Sequence, residues 1–275
     1  MAGITLTPNL RKEYQDLFDG CIIRADKAKD VDAIATKIQQ NRNRYAAVGD
    51  PLGIPWYFVG VIHNMESSRD FDTHLHNGDP LTKRTVQVPP GRPKTGNPPF
   101  TWEESAADAL KLKGLDKWTD WAIPGILFKL ESYNGLGYRL RHPEVLSPYL
   151  WSFSNQYTRG KFVADGTWSP TAISKQCGAA VLLRRMSETG VILFNNEGIP
   201  LPAAVNSDDG ADPLAAFEPL IRFSTKQKSP HAEELQKALN KFPGIFVKVD
   251  GVPGEKTSDA FKKVTGHFLV GDPRA

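Results

Sequence analysis

The sequence predicts a mostly helical α+β protein with two domains. The chain of 275 residues is longer than one small domain needs, and 40% hydrophobic with 24% charged residues is typical of packed globular proteins. Apolar residues recur at helical spacing over most of the chain. A stretch rich in proline, glycine and aspartate at 191–212 predicts a linker between a domain at 1–190 and a smaller one at 213–275.

Helical spacing of apolar residues predicts a first helix over 10–22 and a second over 31–38. A third helix is predicted at 55–67, since Pro55 stands at a first-turn position that tolerates proline. The next segment, 69–100, alternates in places and contains an Asn-Gly pair and many prolines, which predicts a small β-hairpin with a long loop.

Helical patterns return between 102 and 141, with breaks near Gly114 and Pro124. A last helix of the first domain is predicted to begin at Ser169-Pro170 and to end at Gly190, where a cap and a stop signal stand. Three short helices are predicted for the C-terminal domain, at about 213–225, 231–242 and 256–265.

The C-terminal domain carries a motif whose members are Leu235, Gln236, Asp250, Gly251, Gly254, Thr257, Ala260 and Phe261. Asp250-Gly251 suits a tight turn, and Thr257 is placed to cap the final helix. The motif resembles that of the type 1 peptidoglycan-binding domain. The resemblance implies a three-helix fold and bacterial peptidoglycan as the partner.

Glu66 is the first candidate catalytic residue. On the helix predicted at 55–67 it follows Val59 by seven and Ile62 by four positions, which predicts that it lies on the buried face at the C-terminal end. Desolvation and the helix dipole both raise the pKa of a carboxyl there, and a protonated carboxyl can act as general acid in glycosidic cleavage. A structural glutamate paired with Arg69 is the alternative.

Two phrases around Glu66 and Tyr133 carry a second resemblance. VIHNMESS, which contains Glu66, and ESYNGLGYR, which begins at Glu131, resemble motifs of the lysozyme and lytic transglycosylase superfamily. The resemblance implies a lysozyme-like catalytic domain with Glu66 as the acid, and Tyr133 and Asn134, with Tyr138 beside them, along the sugar groove. With a wall-binding domain it implies a peptidoglycan hydrolase of the endolysin type.

A second carboxylate is expected in the predicted hairpin, where Asp72 and Asp79 both lie. Asp79 precedes Thr85 by six positions, which resembles the phage-type lysozymes, in which a hairpin Asp and Thr position the attacking water. We expect Asp79 to be catalytic and Thr85 to bind substrate, giving a muramidase. A turn role for Asp79, and a lytic transglycosylase using Glu66 alone, are the alternatives.

Three histidines offer another interpretation. His74 and His76 would share one face of a strand, and together with His63 they could bind zinc, which would indicate a zinc-dependent peptidase of the wall. A wall-binding protein without enzymatic activity is a further alternative. The sequence contains no His-Glu-x-x-His motif, so we expect no metal and no cofactor, and we expect His76 to donate hydrogen bonds to sugar hydroxyls.

The sequence also bears on location. The first residues show no basic segment followed by an apolar one, so no signal peptide is predicted, and no apolar stretch is long enough to insert into a membrane. Cys21 and Cys177 lie on apolar helical patterns, which predicts two buried free thiols and a reducing compartment. The net charge of +3 is too small to indicate nucleic acid binding. We expect a monomer made in the cytoplasm that reaches the wall after holin-type release.

Overall fold

The computed structural model describes residues 4–164, 166–189, 191, 192, 194, 214 and 221–275. The residues that the structure describes are 48% helical with a small two-stranded antiparallel sheet, which confirms the prediction of a mostly helical α+β protein. The chain divides into two compact units, Met1–Arg185 and Met186–Ala275. The predicted linker at 191–212 lies outside the described residues except for 191, 192 and 194.

The α-helices of the described residues are numbered in chain order. They are α1 Pro8–Asp19, α2 Ala28–Gln40, α3 Arg42–Gly49, α4 Trp56–Ser67, α5 Trp102–Leu112, α6 Ile123–Asn134, α7 Gly137–Arg141, α8 Pro148–Trp151, α9 Ala179–Glu188, α10 Pro230–Leu239 and α11 Glu255–Thr265.

Helix α4 lies at the centre of the first unit. Nine of its twelve residues, Tyr57 to Met65, are buried, and it packs against α2 and α3, while α1 packs on α6. A Cβ on Gly60 would lie 2.7 Å from the Ile38 side chain and 2.9 Å from the Tyr45 ring, so the absent side chain lets both neighbouring helices approach α4 closely. Burial on every side makes α4 a core helix rather than an amphipathic surface helix.

The hairpin predicted for 69–100 is not formed. The segment is a long loop whose only described strand-like pairing is a single bridge between Thr73 and Pro80. Six prolines, at 80, 89, 90, 93, 98 and 99, remove the N–H groups that a ladder of hydrogen bonds would need. The Asn-Gly turn signal was therefore misleading, because no two strands could follow from it.

The described sheet lies elsewhere. Strand β1, Lys161–Ala164, pairs antiparallel with β2, Thr167–Ser169. The helix predicted to begin at Ser169-Pro170 in fact begins at Ala179. The Ser169 hydroxyl accepts a hydrogen bond from the Ala172 N–H within a turn, so the Ser-Pro pair marks a turn and not a helix cap.

The second unit packs α10 against α11 around a core that includes Leu235 and Phe261, both at most 1% exposed. The helices predicted at 231–242 and 256–265 correspond to α10 and α11. The helix predicted at 213–225 falls mostly outside the described residues, and the described part, 221–225, is not helical.

Gln236 joins the parts of the C-terminal motif. Its side chain is buried, and its Oε1 accepts hydrogen bonds at 2.9 Å from the N–H groups of Asp250 and Gly251. Its Nε2 donates to the Thr257 hydroxyl at 3.1 Å and to the Val252 carbonyl at 3.1 Å. One side-chain amide therefore ties α10 to the turn that precedes α11 and to the first turn of α11.

Both cysteines are buried and free, as predicted, but they lie just outside helices. Cys21 follows the end of α1, and Cys177 precedes the start of α9. In the described part of the chain, no helix combines the length and the apolar character that crossing a membrane requires.

We expect Gln236→Ala to destabilise the second unit by about 2 to 3 kcal/mol, because it leaves several buried polar groups unpaired. Native-state hydrogen exchange measures this as a loss of amide protection in α10 and α11, with α4 unchanged. Lys237→Ala, at the exposed neighbouring position, is the control. Unaltered amide protection in Gln236→Ala would show that the second unit does not need the hydrogen bonds of Gln236 for its stability.

Candidate active site

Glu66 is the penultimate residue of α4, immediately after the buried run that ends at Met65. The sequence predicted a buried position, and this was wrong, because the side chain is exposed. Its Oε1 accepts a hydrogen bond of 2.8 Å from the hydroxyl of Tyr149. The carboxyl therefore stands where the central helix reaches the surface, held by a buried tyrosine.

Three other segments meet at Glu66. Tyr149 comes from α8 and is 8% exposed, so its hydroxyl is presented from a fixed ring. Burial raises the pKa of Tyr149 and of Tyr133, which lies in the last turn of α6. The negative charge of Glu66 raises both pKa values further. Lys113, which ends α5, places its Nζ 4.7 Å from the centre of the Tyr133 ring.

The pKa of Glu66 is raised. Desolvation by the surrounding protein is the largest cause, and it outweighs the Tyr149 hydrogen bond and the charge of Lys113, which both lower the pKa. Solvent still reaches the side chain, although protein lies close to it on several sides. Such a carboxyl can hold a proton and pass it to an incoming group.

Arg69 does not pair with Glu66. Its guanidinium donates to Oδ1 of Asn64, one turn earlier on a different face of the helix end. The structural salt bridge considered for Glu66 is therefore absent from the described contacts. Gln176 secures the same helix end, because its Nε2 donates to the Met65 carbonyl at 2.7 Å.

Asp79 and Thr85 hold the 69–100 loop together. Oδ2 of Asp79 accepts hydrogen bonds of 2.8 Å from the Asn77 side chain and from the Val86 N–H, which lower its pKa. Thr85 is 3% exposed, and its hydroxyl donates to the Pro89 carbonyl and accepts from the Arg92 N–H. No contact among the described residues joins either side chain to Glu66. Asp79 has the turn role that the sequence left open.

The other residues predicted to line the sugar groove lie in two different places. Tyr133 lies beside Glu66, and the neighbouring Asn134 is exposed at the end of α6. Tyr138 is 8% exposed and packs edge-on against the rings of Phe162 and Trp168, beside the small sheet. Its hydroxyl accepts a hydrogen bond from the Phe162 N–H, so Tyr138 supports the sheet.

Each of the three histidines is held by hydrogen bonds, and the rings of His74 and His76 lie 5.8 Å apart. Both ring nitrogens of His63 are engaged, by the Tyr45 hydroxyl at 3.1 Å and the Asp70 carbonyl at 3.0 Å, and burial lowers its pKa to about 4. His74 is likewise held by the Ser105 hydroxyl and the Lys83 carbonyl, each at 2.7 Å. These bonds leave neither ring nitrogen of His63 or His74 free to bind zinc.

His76 is not a groove residue. Its side chain is 1% exposed, and its Nε2 bonds the Asp108 carboxylate at 2.8 Å, which Arg92 also contacts at 2.8 Å. Among the residues that the structure describes, no three His, Cys, Asp or Glu side chains are placed to hold a metal ion. The geometry gives the zinc peptidase interpretation no support.

Comparison of the chain with known protein families, with curated proteins and with solved structures found no match to any of them. The resemblances noted in the sequence therefore remain predictions.

Tyr149 and Lys113 are the site residues that sequence reasoning missed. Tyr149 stands 83 positions from Glu66 in a short helix with no motif around it. Its neighbours in sequence are apolar and indicate only a place in the core. Lys113 reads as an ordinary surface lysine at a helix end. Neither position carries a local signal, because the contact with Glu66 arises only from the packing of α8 and α5 around α4.

We expect Tyr149→Phe to raise the pKa of Glu66 by about one pH unit. In the wild-type chain the Tyr149 hydrogen bond stabilises the ionised carboxylate, and the variant loses this stabilisation. The free energy of a hydrogen bond to a charged group corresponds to about one pH unit in pKa. Carboxyl-carbon NMR titration of Glu66 measures the change. Tyr157→Phe is the matched control, since the Tyr157 hydroxyl donates to the Gly160 carbonyl, and it should leave the pKa of Glu66 unchanged. A lowered or unchanged pKa in Tyr149→Phe would contradict the assignment.

Proposed function

We propose that this chain cleaves the glycan strand of bacterial peptidoglycan, with Glu66 as the general acid. The observation that carries the proposal is a solvent-accessible carboxyl with a raised pKa, held by Tyr149 beside Tyr133. Glycosidic cleavage needs a carboxylic acid that still holds its proton near neutral pH and can reach the leaving oxygen.

The surroundings of Glu66 suit a sugar substrate. Tyr133 is half-buried and presents a ring beside the carboxyl, and rings of this kind supply the apolar contact surface on which binding sites depend. Lys113 and the exposed Asn134 add polar groups close to the same ring. The residue that the motif resemblance assigned to the sugar groove, Tyr133, thus lies next to the proposed acid.

We propose peptidoglycan as the partner of the second unit as well. The motif that resembles a type 1 peptidoglycan-binding domain is organised around the buried Gln236, so its spacing reflects one compact arrangement. A wall-binding unit raises the local concentration of an attached catalytic unit on an insoluble substrate without changing its chemistry. Location in the cytoplasm followed by holin-type release remains part of the same proposal.

The type of reaction depends on a second carboxylate. A muramidase, the activity predicted first, would use Asp79 and Thr85 to hold the attacking water or to stabilise the sugar cation. Both side chains instead make hydrogen bonds within their own loop, and no carboxylate is among the groups that shift the pKa of Glu66. This observation favours a second candidate, a lytic transglycosylase that uses Glu66 alone as acid and base.

We expect Glu66→Gln to lower wall cleavage by at least about 100-fold, because the amide has no proton to transfer. The fold should persist. Since the pKa of Glu66 is raised by folding, its ionised form weakens the fold, and stability falls as pH rises through that pKa. The neutral glutamine should therefore be at least as stable at pH 7, as thermal unfolding would measure. Near wild-type release of fragments from purified walls by Glu66→Gln would refute the assignment.

Asp79→Asn separates the two reaction types. If Asp79 takes part in hydrolysis, the variant should lose at least about 100-fold in rate, and wild-type digestion should leave reducing muramic ends. If Glu66 acts alone, Asp79→Asn should retain activity apart from a modest loss through the loop, and mass spectrometry should find 1,6-anhydro ends. Asp116→Asn, an exposed aspartate outside this loop, is the control.

A further inference from the structure

A cavity of about 400 Å³ opens beside the C-terminal end of α4. Its walls include Asn64, Ser68, Arg69, Phe153 and Lys175. The segments that form it also form the site of Glu66, since Tyr149 and Phe153 belong to one stretch of chain and Glu66 lies between Asn64 and Ser68. At 100° per residue, Asn64 lies on the side of the helix opposite Glu66, and Ser68 follows the end of the helix.

The charged side chains of this cavity are two cations and one carboxylate. Arg69 and Lys175 are cations, and Lys175 is exposed with no described ion pair. Asn64 is 5% exposed, and its amide N–H has only the Met65 sulfur at 3.8 Å as a partner, which is a weak acceptor. Asp30, the one acidic residue of the lining, has Lys27 at 3.8 Å. The cavity therefore favours an anionic group with acceptor oxygens.

Backbone strain is concentrated at the same place. Ser68, Arg69 and Phe153 have φ of 53°, 68° and 77°, and they are three of the four non-glycine residues with left-handed φ in the described chain. Side chains other than glycine adopt this conformation at a cost in free energy, and such residues cluster at ligand-binding sites. The free-energy cost at these three residues indicates that the lining is held in a shape that suits a ligand.

We propose that this cavity binds a carboxylate group, with Lys175 and Arg69 as the cations and Asn64 as the amide donor. The carboxylate is assigned to the peptide stem that the muramic acid residue of the glycan strand carries. This assignment rests on the proposed function. A stem of four residues extends at most about 14 Å, and a helix with its side chains is about 10 to 12 Å across. The stem is therefore long enough to cross the end of α4 while its sugar lies at Glu66.

The test compares two soluble substrates with the full-length chain: glycan strands that keep their stems, and the same strands after an amidase has removed them. We expect Lys175→Gln to lower kcat/KM on the stem-bearing strands by about tenfold and to leave the stripped strands unaffected, since a hydrogen bond to a charged group contributes about that factor. Arg69→Asn should act in the same direction, because asparagine tolerates the left-handed backbone.

Lys37→Gln, an exposed lysine of α2 outside the cavity, is the control and should change neither rate. Equal losses on both substrates in Lys175→Gln, or no loss on either, would overturn the proposed stem site while leaving the role of Glu66 intact.

Failure of the proposed function is distinguishable. If the wild-type chain cleaves neither substrate, calorimetry with a synthetic stem tetrapeptide and with its fully amidated form still tests the cavity. A preference of about tenfold for the carboxylate form that disappears in Lys175→Gln supports the site. Equal affinity for the two forms, or a preference that survives Lys175→Gln, overturns it.

Discussion

The first unit depends on the burial of α4 on all sides. Residues Tyr57 to Met65 are enclosed by neighbouring helices, and Gly60 allows the closest approach. A helix enclosed in this way has little freedom to shift, so its exposed end is a fixed point on the surface. Glu66 stands at that point. The fixed position of the proposed acid is a consequence of how the core is packed.

The end of α4 is also where several parts of the chain are tied together. Tyr149 contacts the Glu66 carboxyl, Gln176 binds the Met65 carbonyl, and His63 binds the Asp70 carbonyl just beyond the helix. The proposed acid and the proposed carboxylate-binding cavity lie on opposite sides of this end. One helix terminus therefore positions both the group that would cleave a glycan and the groups that would recognise its peptide.

The sequence could predict a large part of the helical framework, because apolar spacing reports directly on which residues a helix buries. Helices α4, α10 and α11 were accessible in this way. The hairpin was not, since the 69–100 loop is held by hydrogen bonds of Asp79 and Thr85 to backbone groups within the loop, and by a bond from Arg92 to Asp108 of α5. Prolines remove the ladder that the turn signal suggested, and no local pattern reports what replaces it.

For the site, local sequence alone determined that Glu66 stands at the end of an apolar helix, because this follows from spacing within a few turns. Tertiary structure decided the rest. It exposed Glu66, brought Tyr149 and Lys113 to it, engaged Asp79 in hydrogen bonds within its own loop, and paired the buried His76 with Asp108. These outcomes depend on contacts between residues up to 83 positions apart. Such contacts are set by how whole helices pack, and helical periodicity carries no information about the partner across the core.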